Sequence, residues 1–249
     1  MKVVFLGTNG WYSTAIGNTS CVLLDTENYY VVFDAGDGLY KLNKYVDSNK
    51  PIILFLSHLH LDHIIGFHVL NKFRFNQGIA IYGYEGTAKG LRIVDHPYTA
   101  PLNQLPTKVT VHNLKEGKHS QPFPFTCKLL VHADQCLGYR IELDKKTIAY
   151  CTDTGICKSI YELSDNADLL ITECSLKPMQ KVEWIGEWPH LRPEDGANIA
   201  REAHVKKLVL THFDAGNYIS KEDRKHAEDV ARKIFIETVA AFDDDKIEI

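Results

Sequence analysis

"LFLSHLHLDHIIG", Leu54 to Gly66, decides how this chain is read. An apolar run ends at Ser57, and the next six positions hold His58, His60, Asp62 and His63. The chain has 12 histidines in 249 residues, so three of them around one carboxylate is a concentration that asks for partners. His58 and His60 lie two apart on an extended segment, which sends both side chains to one face. Imidazole nitrogen binds a divalent metal at about 2.0–2.1 Å, so two such rings can share one ion. Asp62 and His63 follow in the turn before "IIGF" and can reach a second ion nearby. A solvated polar turn after a strand is the plain alternative, and it leaves four ligand-type residues in six positions unexplained.

Partners are available elsewhere. Five short apolar runs end in a residue able to bind a metal or move a proton: "YVVFD" at Asp34, "IILFLSH" at His58, "TIAYCTD" at Asp153, "LLITE" at Glu173 and "LVLTH" at His212. Runs of this length, apolar without alternation and rich in β-branched residues, read as strands buried on both faces. In sheets flanked by helices, ligands gather at strand ends, where side chains converge. "LFLSHLH" and "LVLTHFD" echo one another, as if each half of the chain brings one strand-end ligand. Helices fit between the runs. "RPEDGANIAREAH" places Pro193 at a helix start with Glu194 and Asp195 in the first turn. "SKEDRKHAEDVARKIF" opens with Ser220 three residues before Asp223, a capping-box pattern. Two sheets packed inside two helix layers accommodate all of these elements, in one domain over residues 1–249.

Composition narrows the class. An apolar content of 45% with 24% charged residues is that of an ordinary soluble globular protein. A net charge of −4 gives no general attraction to phosphate backbones, which argues against a non-specific nucleic-acid binder. The six cysteines, Cys21, Cys127, Cys136, Cys151, Cys157 and Cys174, include no CxxC pair. "MKVVFLG" is too short in its apolar part for a secretory signal and reads as a first strand. No apolar run approaches the roughly 18 residues needed to span a bilayer. The expectation is a reduced, cytoplasmic enzyme with no membrane partner.

"HLHLDH" resembles the HxHxDH signature of the metallo-β-lactamase superfamily, and later residues match it in order. His132 in "LLVHADQCLGYRIE" fits the third motif, Asp153 in "IAYCTDTG" the bridging aspartate, and His212 in "LVLTHFD" the last histidine. "DAGDG", Asp34 to Gly38, resembles the structural turn that precedes the signature. The resemblance implies an α/β fold, a four-layer αββα sandwich. It also implies two divalent metal ions, zinc first, with manganese and iron equally suited to mixed His and Asp ligands. His58, His60 and His132 would hold one ion, Asp62, His63 and His212 the other, with Asp153 bridging. A water shared by two such cations loses its proton near neutral pH, against about 15.7 in bulk, and becomes the nucleophile.

Further features are similar to one branch, the ribonuclease Z group. These are the loop in "FLGTNGWYSTAIGNTSCVLL", "GYRIE" after His132, "ITECSL", and the His-containing loop in "PHLRPEDGANIAREAHVKKLVLTHF". By that likeness Glu173 orients His190, and His190 protonates the leaving oxygen, help worth about 10²–10⁴-fold. The catalytic residues are then Asp62, Glu173 and His190. "HLRPED" departs from that group's wording around the histidine. "GTNGWYST" could offer backbone N–H groups to a phosphate, or be only a turn. Only 20 residues separate His132 from Asp153, too few for the long arm by which tRNA-processing members grip their substrate. The expected activity is hydrolysis of small or nucleotide phosphodiesters, with folded RNA disfavoured as partner. A ribonuclease Z-type endonuclease and a lactone or ester hydrolase remain the alternatives, and a non-catalytic sensor would have to keep all seven ligands without use. Relatives of this kind are often dimers, so a homodimer is the open expectation for assembly.

Overall fold

The computed structural model describes residues 1–181 and 188–249. Among the described residues the strands run, in chain order, β1 Lys2–Gly7, β2 Asn9–Gly10, β3 Cys21–Asp25, β4 Tyr30–Phe33, β5 Ile52–Phe55, β6 Ile79–Tyr84, β7 Val109–Leu114 and β8 Gly117–His119. They continue as β9 Phe125–Leu129, β10 Leu137–Leu143, β11 Lys146–Cys151, β12 Leu169–Glu173, β13 Leu208–Thr211, β14 Phe213–Asp214, β15 Thr238–Ala240 and β16 Lys246–Glu248. The α-helices are α1 Leu61–Ile64, α2 Thr87–Gly90, α3 Lys158–Ser164, α4 Pro193–Glu202 and α5 Lys221–Arg232.

Two seven-stranded sheets form, in the orders β16-β1-β3-β4-β5-β6-β7 and β15-β13-β12-β11-β10-β9-β8. The non-alternating runs are their central strands. β4, β5, β12 and β13 are buried at every residue, and each pairs in parallel with a neighbour, as strands covered on both faces should. Phe33, Phe55, Tyr139 and Tyr150 pack between the sheets, with Phe33 stacked on Tyr150 at 4.5 Å. α3, α4 and α5 cover the outer face of the second sheet through residues such as Ile160, Ile199 and Ala227. The expected four-layer order is present, with one difference in its outer layer. Over the first sheet that layer is built largely of 3₁₀ turns, Asp37–Lys44 and Ile65–Lys72, which bring Leu39, Leu42, Phe67 and Leu70 onto the sheet.

The helix starts are as the sequence indicates. Ser220 Oγ accepts from the Asp223 N–H at 3.1 Å while Asp223 accepts from the Ser220 N–H at 2.9 Å, and Pro193 opens α4. β10 and β11 are joined through Asp144 and Lys145, both at positive φ (52° and 61°), the conformation of a tight hairpin turn. Among the described residues no helix is long and apolar enough to cross a membrane. What positions the site is the shared direction of β5, β11, β12 and β13. Their carboxyl ends deliver His58, Asp153, Glu173 and His212 to one rim of the sandwich.

Candidate metal centre

The chain leaves these strands sharply. Asp34, Asp153 and His212 each take a left-handed backbone, with φ of 58°, 50° and 49°. Such conformations are uncommon away from glycine and concentrate at functional sites. Here the bend aims each side chain across the rim instead of along the sheet. Asp62 and His63 lie on the short helix α1 rather than in an irregular turn, one position apart on its first turn.

Two groups of ligand atoms result. His58, His60, His132 and Asp153 offer atoms within 4.8 Å of one another, and so do Asp62, His63, Asp153 and His212. In the first group His58 Nε2 lies 2.8 Å from His60 Nδ1, and His132 Nε2 lies 3.2 Å from that same atom. In the second, His63 Nε2 lies 3.0 Å from His212 Nε2, and Asp62 Oδ2 lies 3.3 Å from His212 Nε2. Ligand atoms arranged tetrahedrally around one ion at 2.0–2.1 Å stand about 3.3 Å apart, so these spacings are those of two coordination shells. Asp153 Oδ2 faces both, at 3.3 Å from His58 Nε2 and 3.1 Å from His63 Nε2. The seven residues singled out in the sequence are therefore brought together.

The electrostatics favour cations there. Asp34, Asp62 and Asp153 are three nearly or wholly buried carboxylates, and among the described residues only histidines pair with them. Burial works against ionising Asp153, but His212 and His63 outweigh it and hold the carboxyl well below the usual range. The same pairing, set against burial, pushes His212 up to about 10, Asp153 being the main cause. Burial together with His58 lowers His60 to about 4, and burial lowers His132 to about 4 against the pull of Asp153. Neutral imidazole is the ligand form. Positive charge is wanted beside the carboxylates, and divalent ions fit this donor set.

Around the ligands lies a supporting layer. Asp34 accepts from the Ser57 N–H at 2.7 Å, from Ser57 Oγ at 2.9 Å, from Tyr150 OH at 2.7 Å and from His63 Nδ1 at 2.8 Å. The last bond fixes which nitrogen of His63 faces the second group, the usual service of a carboxylate behind a ligating histidine. Asp62 is held from the other side by the Trp11 backbone N–H, 2.8 Å from Oδ2. Gly10 is bare because a Cβ there would stand 2.5 Å from the His212 ring. Sequence reading placed Asp34 in a structural turn and left "GTNGWYST" open between a phosphate contact and a plain turn. The structure gives Asp34 the histidine as well, and turns a backbone N–H of that loop onto a carboxylate. Neither contact has a local signature, although "YVVFD" ending on a carboxylate was a pointer.

Glu173, at the end of β12, is fully buried and accepts from His190 Nδ1 at 3.0 Å with each oxygen, and from the Thr154 N–H at 2.6 Å. With Nδ1 committed, Nε2 is the nitrogen left for a substrate. Burial alone would lower His190, but Glu173 overrides it and raises the imidazole to about 9. His190 lines a cavity of ≈ 530 Å³ together with His60, Asp62, His132, Asp153 and His212.

The chain is similar to proteins of known family and structure. The family model described as a β-lactamase superfamily domain matches residues 29–213. A ribonuclease Z of Microcystis aeruginosa is 28% identical over 308 aligned positions, covering 98% of this chain and 94% of its own. The crystal structure of the metallo-β-lactamase fold protein YhfI from Bacillus subtilis superposes with a TM-score of 0.82 at 25% identity, covering 100% of this chain and 98% of the other. Human tRNase Z, short form, does so at 0.76 and 26%, covering 100% and 99%.

Asp34 supplies the first test. In Asp34→Asn the carboxylate behind His63 is lost while the volume is kept, and metal affinity should fall by about 10–100-fold. Titrating each protein with zinc against a chromogenic chelator measures it. Affinity equal to that of the unmodified protein would remove Asp34 from the metal centre.

Proposed function

The chain belongs to the β-lactamase superfamily and is a metal-dependent hydrolase, and from that premise we propose that its substrates are small phosphodiesters, nucleotide ones included. The observation that carries the reading is the Glu173–His190 pair, a proton donor held at the edge of the candidate metal centre. In this reading His58, His60 and His132 hold one divalent ion, Asp62, His63 and His212 the other, and Asp153 contributes to both. Zinc is the first candidate, and manganese or iron suit the same ligands. Two cations so held supply the Lewis acidity that activates water and offsets charge growing on the scissile phosphate.

The remaining steps fall to side chains of this chain. Expelling an alkoxide from phosphorus is unfavourable unless a proton arrives. His190 carries one at neutral pH, because Glu173 raises its affinity for protons, and presents it through Nε2. Glu173 itself stays out of the cavity and sets the orientation and charge of the imidazole by accepting at Nδ1 with both oxygens. Asp62, fixed by the Trp11 N–H, keeps the second group closed on the side of the amino-terminal loop.

Ribonuclease Z relatives support phosphodiester chemistry, whereas size argues against folded RNA. Between His132 and Asp153 the chain forms β10, β11 and the tight turn at Asp144 and Lys145, with no arm beyond them. With a net charge of −4 it offers few of the phosphate contacts on which tight RNA binding rests.

Leaving-group dependence tests the donor. His190→Ala should keep its metal and lose on the order of 10²-fold or more in rate on an alkyl-leaving diester, but far less on a nitrophenyl diester, whose leaving group needs little help. Equal losses on both would make His190 a binding residue instead.

The pH profile tests the pair. His190 has its proton affinity raised in the folded protein, so the acid form is complete at low pH and is lost as pH climbs through about 9. Removing the Glu173 charge leaves burial, which lowers it. Glu173→Gln should therefore move the alkaline limb of kcat/KM to lower pH, and an unmoved limb would detach Glu173 from the titrating group.

A further inference from the structure

Trp11 holds Asp62 through its backbone alone, which leaves its side chain without a partner role there. The residue is 68% exposed, yet it lines the cavity over the candidate metal centre beside Gly10, Asp62 and Asp214. Its backbone sits at φ 70°, where a bulky residue is an outlier. The Tyr12 N–H donates to the Gly10 carbonyl at 2.9 Å and closes a three-residue turn on Trp11, a rare and strained type.

That turn is held from the core. Arg224 of α5, fully buried, donates to Thr8 Oγ1 at 2.7 Å and to Asn9 Oδ1, and Asn9 Nδ2 in turn donates to the Tyr12 carbonyl at 2.9 Å. The turn delivers the Trp11 N–H to Asp62, but any residue except proline would provide that group and glycine would do so with the least strain. The indole is therefore surplus to the turn. It is also propped in place. Tyr12 packs edge-on against it with ring centroids 5.1 Å apart, and a Cβ on Gly216 would lie 3.6 Å from its Cζ3. Across the same cavity Trp188 has one face stacked on the His60 ring at 4.8 Å, and among the described residues Trp11 offers the more exposed of the two indoles to a ligand.

We propose that Trp11 is a stacking platform for a nucleobase carried by the phosphodiester, and so makes nucleotide diesters the preferred substrates. The proposal rests on the phosphodiester reading and adds the base. Stacking on a tryptophan face is tolerant of base identity and strong enough to shift affinity by about tenfold or more.

The test is equilibrium binding by calorimetry to the zinc-loaded protein, comparing adenosine 5′-monophosphate with ribose 5-phosphate. The unmodified protein should bind the nucleotide about tenfold more tightly or better. Trp11→Gly keeps the N–H and relieves the backbone, so it should fold with an undiminished Tm and lose the preference, read as the ratio of the two affinities within that variant. Trp11→Phe should keep part of it. Equal affinity for the two ligands in the unmodified protein overturns the platform and leaves the phosphodiester reading standing, as does a preference that survives in Trp11→Gly. Binding of neither ligand by zinc-replete protein overturns both.

Discussion

The carboxylate of Asp34 is the constraint on which the rest of the site depends. It lies at the end of β4 in the first sheet, wholly buried, and accepts from Tyr150 of β11 in the second sheet at 2.7 Å. It also accepts from Ser57 at the exit of β5 and from the His63 ring. One side chain thus ties the two sheets together at the rim and fixes the direction of a strand exit and of an imidazole. A buried carboxylate is tolerable only when its acceptor capacity is filled. The four donors that fill it are also the groups that must be in register for the metal centre to form. Loss of any one donor leaves a buried acceptor unmet, at a cost of about 1–3 kcal/mol.

From that point the electrostatics follow in layers. Asp34 behind His63, with Asp62 and Asp153 beside it, concentrates negative charge at the rim, and among the described residues only histidines pair with these carboxylates as ions. Two divalent ions would offset it. Farther out, Glu173 repeats the same device on His190, with a different outcome. A carboxylate behind a ligating histidine turns the ring toward a cation, whereas one behind an unligated histidine keeps a proton on it. Loaded with metal, the site would combine neutral ligating imidazoles with one protonated imidazole, as the proposed hydrolysis with a poor leaving group requires.

Much of this was legible in the sequence, for a physical reason. Strands buried on both faces cannot alternate, so "IILFLSH", "LLITE" and "LVLTH" stand out, and the ligand-type residue that ends each is where the chain reaches the rim. His58, Glu173 and His212 were read in that way. The capping pair Ser220 and Asp223 was legible because its chemistry is local. The roles of Asp34, Arg224 and Trp11 were not. Arg224 reads as one more charge on an amphipathic helix, and only tertiary packing buries it against Asn9. Trp11 reads as a loop residue, and its left-handed turn is imposed by contacts that come from α5, over 200 residues away. The 3₁₀ character of the outer layer over the first sheet also escaped the pattern, since the spacing of Leu39 and Leu42 suits an α-helix equally.

The central claim is that two coordination shells meet at Asp153. Anomalous diffraction from crystals of the zinc-loaded protein, recorded at the zinc edge, tests it most directly. The account predicts two peaks, one within reach of His58, His60 and His132 and one within reach of Asp62, His63 and His212, with the Asp153 carboxylate adjoining both. A single peak, or peaks away from these residues in fully loaded protein, would contradict it.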